Sequence, residues 1–452
     1  MIWANFLHIY QPPTQKPFWV KKVADESYRK ILTELKKAPQ AKVTLNINAA
    51  LSELLVKNGR SDVIDDINLL VKKSQVELTG SAKYHPLLPK IPEKETIRQI
   101  KLNDETNKKF FGNLYKPKGF FPPEMGYSNE VAKVVKKLGF EWIIVDELSF
   151  PKEKGNVDYS KIYEVENCGI KIYFRERRMS YKILSGQMGT GQLLIDSLSD
   201  RLNKNEYLLT AMDGETFGHH RPGMEHLLFE IYQSKQLNTV LISELPKYFK
   251  NVEKIKPLPS TWALMEKDLE KNSPFSRWLD PDNLIHKMQW ELTYLAIDTV
   301  ERADKKGLEH NQSRKLLDRA LHSDQYWWAS AKPWWSLEMI EAGAKELNEV
   351  VQNCPNANQK EKNRAQELYQ NIVFTGFQWQ RDGTVENLSR QEDEEVRQRS
   401  DQGLPELPKK EIDKIVGNLT KEMNVVAKNQ EFERAAQLRD RIKELRKYQK
   451  DQ

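Results

Sequence analysis

Two segments carry an apolar run straight into a carboxylate through proline or glycine: Gly-Phe-Phe-Pro-Pro-Glu-Met-Gly-Tyr-Ser at 119–128 and Ala-Met-Asp-Gly-Glu-Thr-Phe-Gly-His-His at 211–220. Each has the form of a strand that breaks at its end and turns a charged side chain outward. That puts Glu124 and Asp213 where a parallel barrel exposes its catalytic residues. Two such carboxylates can cleave a glycosidic bond, one attacking or stabilising the anomeric carbon while a protonated partner assists the departing oxygen. Taken singly, an acidic residue at a strand end is more often a solvated side chain or a helix cap. Glu124 and Asp213 are far apart in the chain, so only a fold that gathers strand ends can pair them. Glu77, Glu215 and Asp324 stand at comparable positions, the last in a helical region.

The elements that must position these residues follow from the apolar pattern. Short apolar runs at 2–9, 42–47, 75–78, 119–121, 142–145, 170–174, 207–212 and 239–242 alternate with amphipathic stretches. Among these stretches, 129–138 and 224–232 carry helical periodicity through Val131, Val134, Val135 and Leu138 and through Leu227, Leu228 and Ile231. This alternation predicts parallel strands in a barrel or a doubly wound sheet. From about 282 to 347 strand signals stop, and periodic stretches such as 284–300 and 313–321 predict a Trp-rich helical subdomain. A polar, acidic stretch with Gly403, Pro405 and Pro408 predicts a flexible linker over 378–408, with a boundary near 405. Beyond it, Ile412, Ile415, Val416, Leu419, Met423 and Val426 form one apolar stripe, and Phe432, Ala435, Ala436, Leu438, Ile442 and Leu445 form another. They predict an αα-hairpin over 409–450.

Composition narrows the function classes. At 452 residues and 39% hydrophobic, the chain can bury more than one core. Its 71 basic against 65 acidic residues leave +6, too small an excess to announce a nucleic-acid binder. The hairpin holds twelve Lys/Arg against seven Asp/Glu. These charges are interspersed and lack an aromatic ladder, so a solvated helical face outweighs a nucleic-acid surface. Cys168 and Cys354 have no partner at metal-ligand spacing, which excludes a disulfide scaffold and fits a reducing cytoplasm. The first ten residues lack signal-peptide character, and no stretch approaches the ~18 apolar residues of a membrane span. No two of the eight histidines are three to five residues apart, so the helical His pair of many zinc enzymes is missing.

Five motifs in order resemble the retaining glycoside hydrolase family 57 over roughly residues 1–345. They are Leu-His-Ile-Tyr-Gln-Pro (7–12), Val-Glu-Leu-Thr-Gly with Tyr-His-Pro (76–80, 84–86), the segments around Glu124 and Asp213, and His-Ser-Asp-Gln-Tyr-Trp-Trp (322–328). The resemblance implies an α/β fold, an incomplete (β/α)7 barrel over 1–260 followed by a helical bundle over 261–377 that completes the active site. It also implies activity on α-1,4-glucans by hydrolysis or 4-α-glucan transfer without a metal cofactor. Glu124 falls at the nucleophile position and Asp213 at the general acid/base. For a retaining enzyme their carboxyl groups should lie about 5–5.5 Å apart, with the charge of Glu124 raising the pKa of Asp213. Glu77, Glu215 and Asp324 would bind sugar hydroxyls or tune the pair, and His8, His219 and His220 would line the subsite of the reacting glucose. Trp327 would offer a flat face to a sugar ring, core packing being its ordinary alternative.

Residues 421–445 resemble the UVR motif, a short helical hairpin that makes protein–protein contacts, which implies a protein partner or self-association through the tail. The alternative to an enzyme is a catalytically weak or inactive barrel that binds carbohydrate or acts as a scaffold through this tail. A degenerate relative would be expected to lose one of the two carboxylates, and both are present.

Overall fold

A strand buried on both faces needs a continuous apolar run, and the opening segment supplies one: β1 (Ile2–Ile9) has seven of its eight residues buried. The computed structural model describes residues 1–303, 308–400 and 408–451. After β1 come β2 (Val43–Ile47), β3 (Val76–Leu78), β4 (Gly119–Phe120), β5 (Trp142–Asp146), β6 (Ile162–Val165), β7 (Lys171–Arg175), β8 (Tyr207–Asp213), β9 (Asn238–Thr239) and β10 (Val252–Ile255). One sheet runs β3-β2-β1-β8, with β9 also on β1, and all its pairs are parallel. The second runs β10-β6-β7-β5-β4 and is parallel except between β6 and β7.

The sheets meet at two edges. Gly80, just past β3, bridges Phe120 of β4 in parallel, and the amide of Glu176, just past β7, donates to the Leu209 carbonyl of β8 at 2.8 Å. Only glycine fits the first junction, where a Cβ would come within 2.3 Å of the Phe140 ring. Strand ends distant in sequence are thereby drawn onto one rim.

Two strands were not expected. β6 and β10 form the far edge of the second sheet: β6 is buried at Ile162, Tyr163 and Val165 but interrupted by Glu164, and β10 is largely exposed at Val252, so neither gives an unbroken apolar run. The run expected over 239–242 pairs only through Asn238–Thr239 before turning into a short 3-10 segment at Ile242–Glu244. The helices at Asn129–Lys137 and Glu225–Gln233 match the periodicity within a residue.

The helical part is built from Leu284–Arg302, Leu308–Ala320, Leu337–Gln352 and Gln359–Arg381. Trp290 stacks on Tyr326 at 4.4 Å, and both belong to the same apolar core as β4, β5 and β7. The helical part thus shares one apolar core with the second sheet and brings its own residues to the rim. Among the described residues no helix is long and apolar enough to cross a membrane.

The linker expected over 378–408 is corrected by the structure. Its residues continue one helix to Arg381 and form another, Thr384–Ser400; the boundary expected near 405 lies outside the described residues. Among its described side chains, one docks this second helix by charge. Glu392, nearly buried, accepts from Arg277 at 2.6 Å and from Lys267 at 3.2 Å. Glu392→Ala would leave the buried Arg277 with Asp268 at 3.6 Å as its remaining ion pair. It is expected to lower stability by about 3 kcal/mol, read as a shifted urea midpoint. An unchanged midpoint would make the docking incidental.

The expected hairpin forms, from Lys409–Lys428 and Phe432–Asp451, closed over Ile412, Leu419, Leu438, Ile442 and Leu445.

Candidate active site

β4 ends at Phe120, and Pro122 and Pro123, which have no N–H to donate, stop the ladder; Pro123 opens a short 3-10 turn, Pro123–Met125. The chain instead places Glu124 at φ +61° and Met125 at φ +49°. Two adjacent non-glycine residues in the left-handed region are strained, and such strain gathers at functional sites. β8 ends at Asp213, and the 3-10 turn Gly214–Thr216 presents Glu215 beside it. The β1–β8 register sets His8 next to Asp213, and the β1–β2 register sets His8 next to Asn46.

These ends converge with Asp324 of the helical part. Trp262 Nε1 donates to Glu124 Oε2 at 2.9 Å, and Ser323 Oγ donates to Glu124 Oε1 at 3.0 Å. His85 Nδ1 lies 3.5 Å from the same Oε1. Asp324 accepts from Tyr10 Oη at 2.7 Å and pairs with His322 Nδ1 at 3.1 Å. Glu215 accepts from the Tyr28 hydroxyl and from the Tyr10 amide. His8 shares Nδ1 with Asn46 at 2.7 Å and is stacked by Phe121 at 4.5 Å and His85 at 5.1 Å; Tyr10 continues the stack onto His85 at 4.2 Å.

Crowding of carboxyls sets the electrostatics. Burial, with the charges of Asp324 and Asp213, pushes Glu124 up to about 8, against the pull of its Trp262 and Ser323 hydrogen bonds. Burial also pushes Asp213 up, with Arg175 opposing, and pushes Glu215 up with the charge of Asp213. The cause at Asp213 is therefore burial rather than the expected charge of Glu124. Asp324 goes the other way: burial disfavours its charge, but His322, His85 and Tyr10 hold it below the ordinary carboxylate value. Burial lowers His8 and takes His85 down to about 4, so both imidazoles are neutral at pH 7. The cluster keeps a proton among its carboxyls at neutral pH, the condition for general acid chemistry.

Glu124, Asp213, Glu215, Asp324 and His8 are brought together on this rim. Glu77 is not. Its carboxylate accepts from Thr44 Oγ1 at 2.7 Å and from the Ser243 amide at 3.1 Å, fastening the segment after β9. In the register Glu77 stands beside Thr44, and Thr44 beside Phe6, two residues short of His8. His219 pairs with Glu26 at 2.6 Å and His220 lies against His219, so both are engaged away from the Glu124 network. Trp327 packs 5.1 Å from Trp278, the core alternative. Tyr10, His85 and Ser323 lie within the motif segments yet were not singled out. Trp262 and Tyr28 had no spacing signal at all.

A family model for glycosyl hydrolase family 57 matches residues 5–257, more than half of the chain. The chain belongs to glycosyl hydrolase family 57. A second model, for the UvrB/uvrC motif, matches 413–448, so this family 57 chain carries a UVR hairpin. It is 28% identical over 262 residues to an α-amylase of Pyrococcus horikoshii, covering 54% of this chain and 40% of that protein. It is 25% identical over 362 residues to a 4-α-glucanotransferase of Thermococcus kodakarensis, covering 72% and 54%. The chain thus spans about half the length of these relatives, or less. Among solved structures, a family 57 branching enzyme of Pyrococcus horikoshii aligns with TM-score 0.63 at 16% identity, covering 83% of this chain and 96% of that one. That likeness is one of fold.

Proposed function

We propose that this family 57 chain is a retaining glycosidase or transglycosidase acting on α-1,4-glucans in the cytoplasm. Its two sheets would work as an incomplete (β/α)7 barrel, with the helical part closing the site. The observation that carries the reading is the convergence of Glu124 and Asp213, from separate strands, in one acidic cluster that also holds Asp324.

Glu124 attacks the anomeric carbon while Asp213 gives its proton to the leaving oxygen, forming a glycosyl ester. Asp213 then takes a proton from water or from an acceptor sugar hydroxyl as that oxygen displaces Glu124. The hydrogen-bond donors support these roles. An indole N–H and a hydroxyl point at Glu124, which suits an anion, whereas no donor among the described residues reaches the Asp213 carboxylate. Burial nevertheless holds the Glu124 carboxyl up to about 8. A proton shared among crowded carboxyls redistributes as a sugar enters, whereas the indole N–H stays fixed on Glu124. Glu215, Asp324 and His8 would then contact sugar hydroxyls or tune the pair. The hairpin leaves Val425 and Phe432 exposed, a surface for a protein partner or a second copy.

Product analysis with maltoheptaose tests the reading. Longer and shorter oligosaccharides together are expected from a transferase, and only shorter ones from a hydrolase. No turnover of any α-glucan would overturn it in favour of a binding or scaffold protein.

A further inference from the structure

The UVR hairpin is seated on the barrel. Gly189 faces Ile415 and Gly223 faces Leu419 so closely that a Cβ would come within 2.4 and 2.5 Å of those side chains. Thr190 donates to Glu411, and Lys30 bridges Glu225 of the barrel and Glu422 of the hairpin at 2.6 Å each. Arg434 reaches furthest toward the site. Nearly buried, it donates through Nη2 to the Gly218 carbonyl at 2.5 Å, and its guanidinium faces Glu26 at 3.6 Å and Glu422 at 3.5 Å.

Glu26 lies in a single π-helical turn, Ala24–Tyr28, and three successive side chains of that turn grip the segment after Asp213. Glu26 pairs with His219, Ser27 Oγ donates to the Gly214 carbonyl at 2.8 Å, and Tyr28 donates to Glu215. Gly218, at φ +105°, lies against the same turn, where a Cβ would sit 2.2 Å from the Glu26 carbonyl oxygen. Single π turns recur at functional sites.

We infer that Arg434 of the UVR hairpin is a positioning residue for the glycosidase site, clamping Glu26 and Gly218 so that residues 214–223 stay in register behind Asp213. This rests on the catalytic reading of Asp213. The docked hairpin therefore supports turnover, and a protein that drew it off the barrel would slow the enzyme.

Arg434→Ala in the full chain tests this through kinetics on maltoheptaose and through deuterium uptake of the peptide covering 214–223. A fall in kcat of about tenfold or more, with KM within about twofold, is expected together with faster uptake. Lys414→Ala breaks the hairpin's surface pair with Glu230 and touches nothing near Gly218, so it should leave both readouts unchanged. If Arg434→Ala unfolds the hairpin, seen as rapid uptake over Lys409–Lys428, Arg434→Met, which keeps the apolar stem and removes the donor to the Gly218 carbonyl, takes its place and should give the same kcat loss. Unchanged kcat and unchanged uptake at 214–223 in Arg434→Ala would overturn the inference. A wild type without glucan turnover would instead defeat the catalytic reading, and the uptake comparison would still decide whether Arg434 holds the loop.

Discussion

Glu124→Gln is expected to lower kcat on maltoheptaose by about 10⁴-fold or more while raising the Tm at pH 7. The first effect follows from losing the atom that would bond to the sugar; the amide keeps the shape, its oxygen accepting from Trp262 while its NH2 donates to the Ser323 hydroxyl, which can turn to accept. The second follows from linkage. Folded Glu124 titrates near 8 against an ordinary 4.5. Between those values the unfolded chain releases its proton and the folded chain keeps it, so wild-type stability falls as pH rises. Glutamine does not titrate. The variant's Tm advantage should therefore close below about pH 4.5 and widen toward about pH 8, measured by thermal melts across that range. A variant that melts below wild type at pH 7 would mean that Glu124 is held by its partners more firmly than its burial disfavours it.

Asp213→Asn should lower kcat by up to about 10⁴-fold, and its pattern separates it from Glu124→Gln. The loss should be largest with natural glucans, whose leaving oxygen needs a proton, and much smaller with an α-maltosyl fluoride, whose leaving group does not. With the fluoride, the second step lacks its base, and azide, which needs none, should restore turnover and appear as an α-glycosyl azide. Burial raises Asp213 above the ordinary 3.8, so the acid form survives to higher pH than a free aspartic acid would allow. The alkaline limb of the wild-type profile should thus be missing from the fluoride reaction of Asp213→Asn. Equal loss on both substrates, without azide rescue, would remove Asp213 from the acid/base role.

Much of this site was readable in the sequence because its makers are local signals. An apolar run that stops at Pro-Pro or Asp-Gly marks a strand end, and Glu124, Asp213 and Glu215 each follow one. What joins them is not local. Their meeting depends on the Gly80–Phe120 bridge and the β1–β8 register, which no spacing encodes. Glu77 looked equivalent because a carboxylate in a short strand reads alike whether it reaches the rim or is held by Thr44 and the Ser243 amide. Tyr28 was invisible because a π turn, not helical periodicity, aims it at Glu215. Thr384–Ser400 read as a linker because its docking runs through Glu392 and Arg277 rather than an apolar stripe. Trp262 offered no pattern either, since it is a lone indole whose partner is 138 residues away.

The central claim is that Glu124 and Asp213 act as a nucleophile and an acid/base in two displacements. It is tested most directly by the anomer first released from a short maltooligosaccharide, followed by proton NMR before mutarotation. The α-anomer, showing net retention, is expected. Initial release of the β-anomer would mean a single displacement by water, and Glu124 would not be the nucleophile.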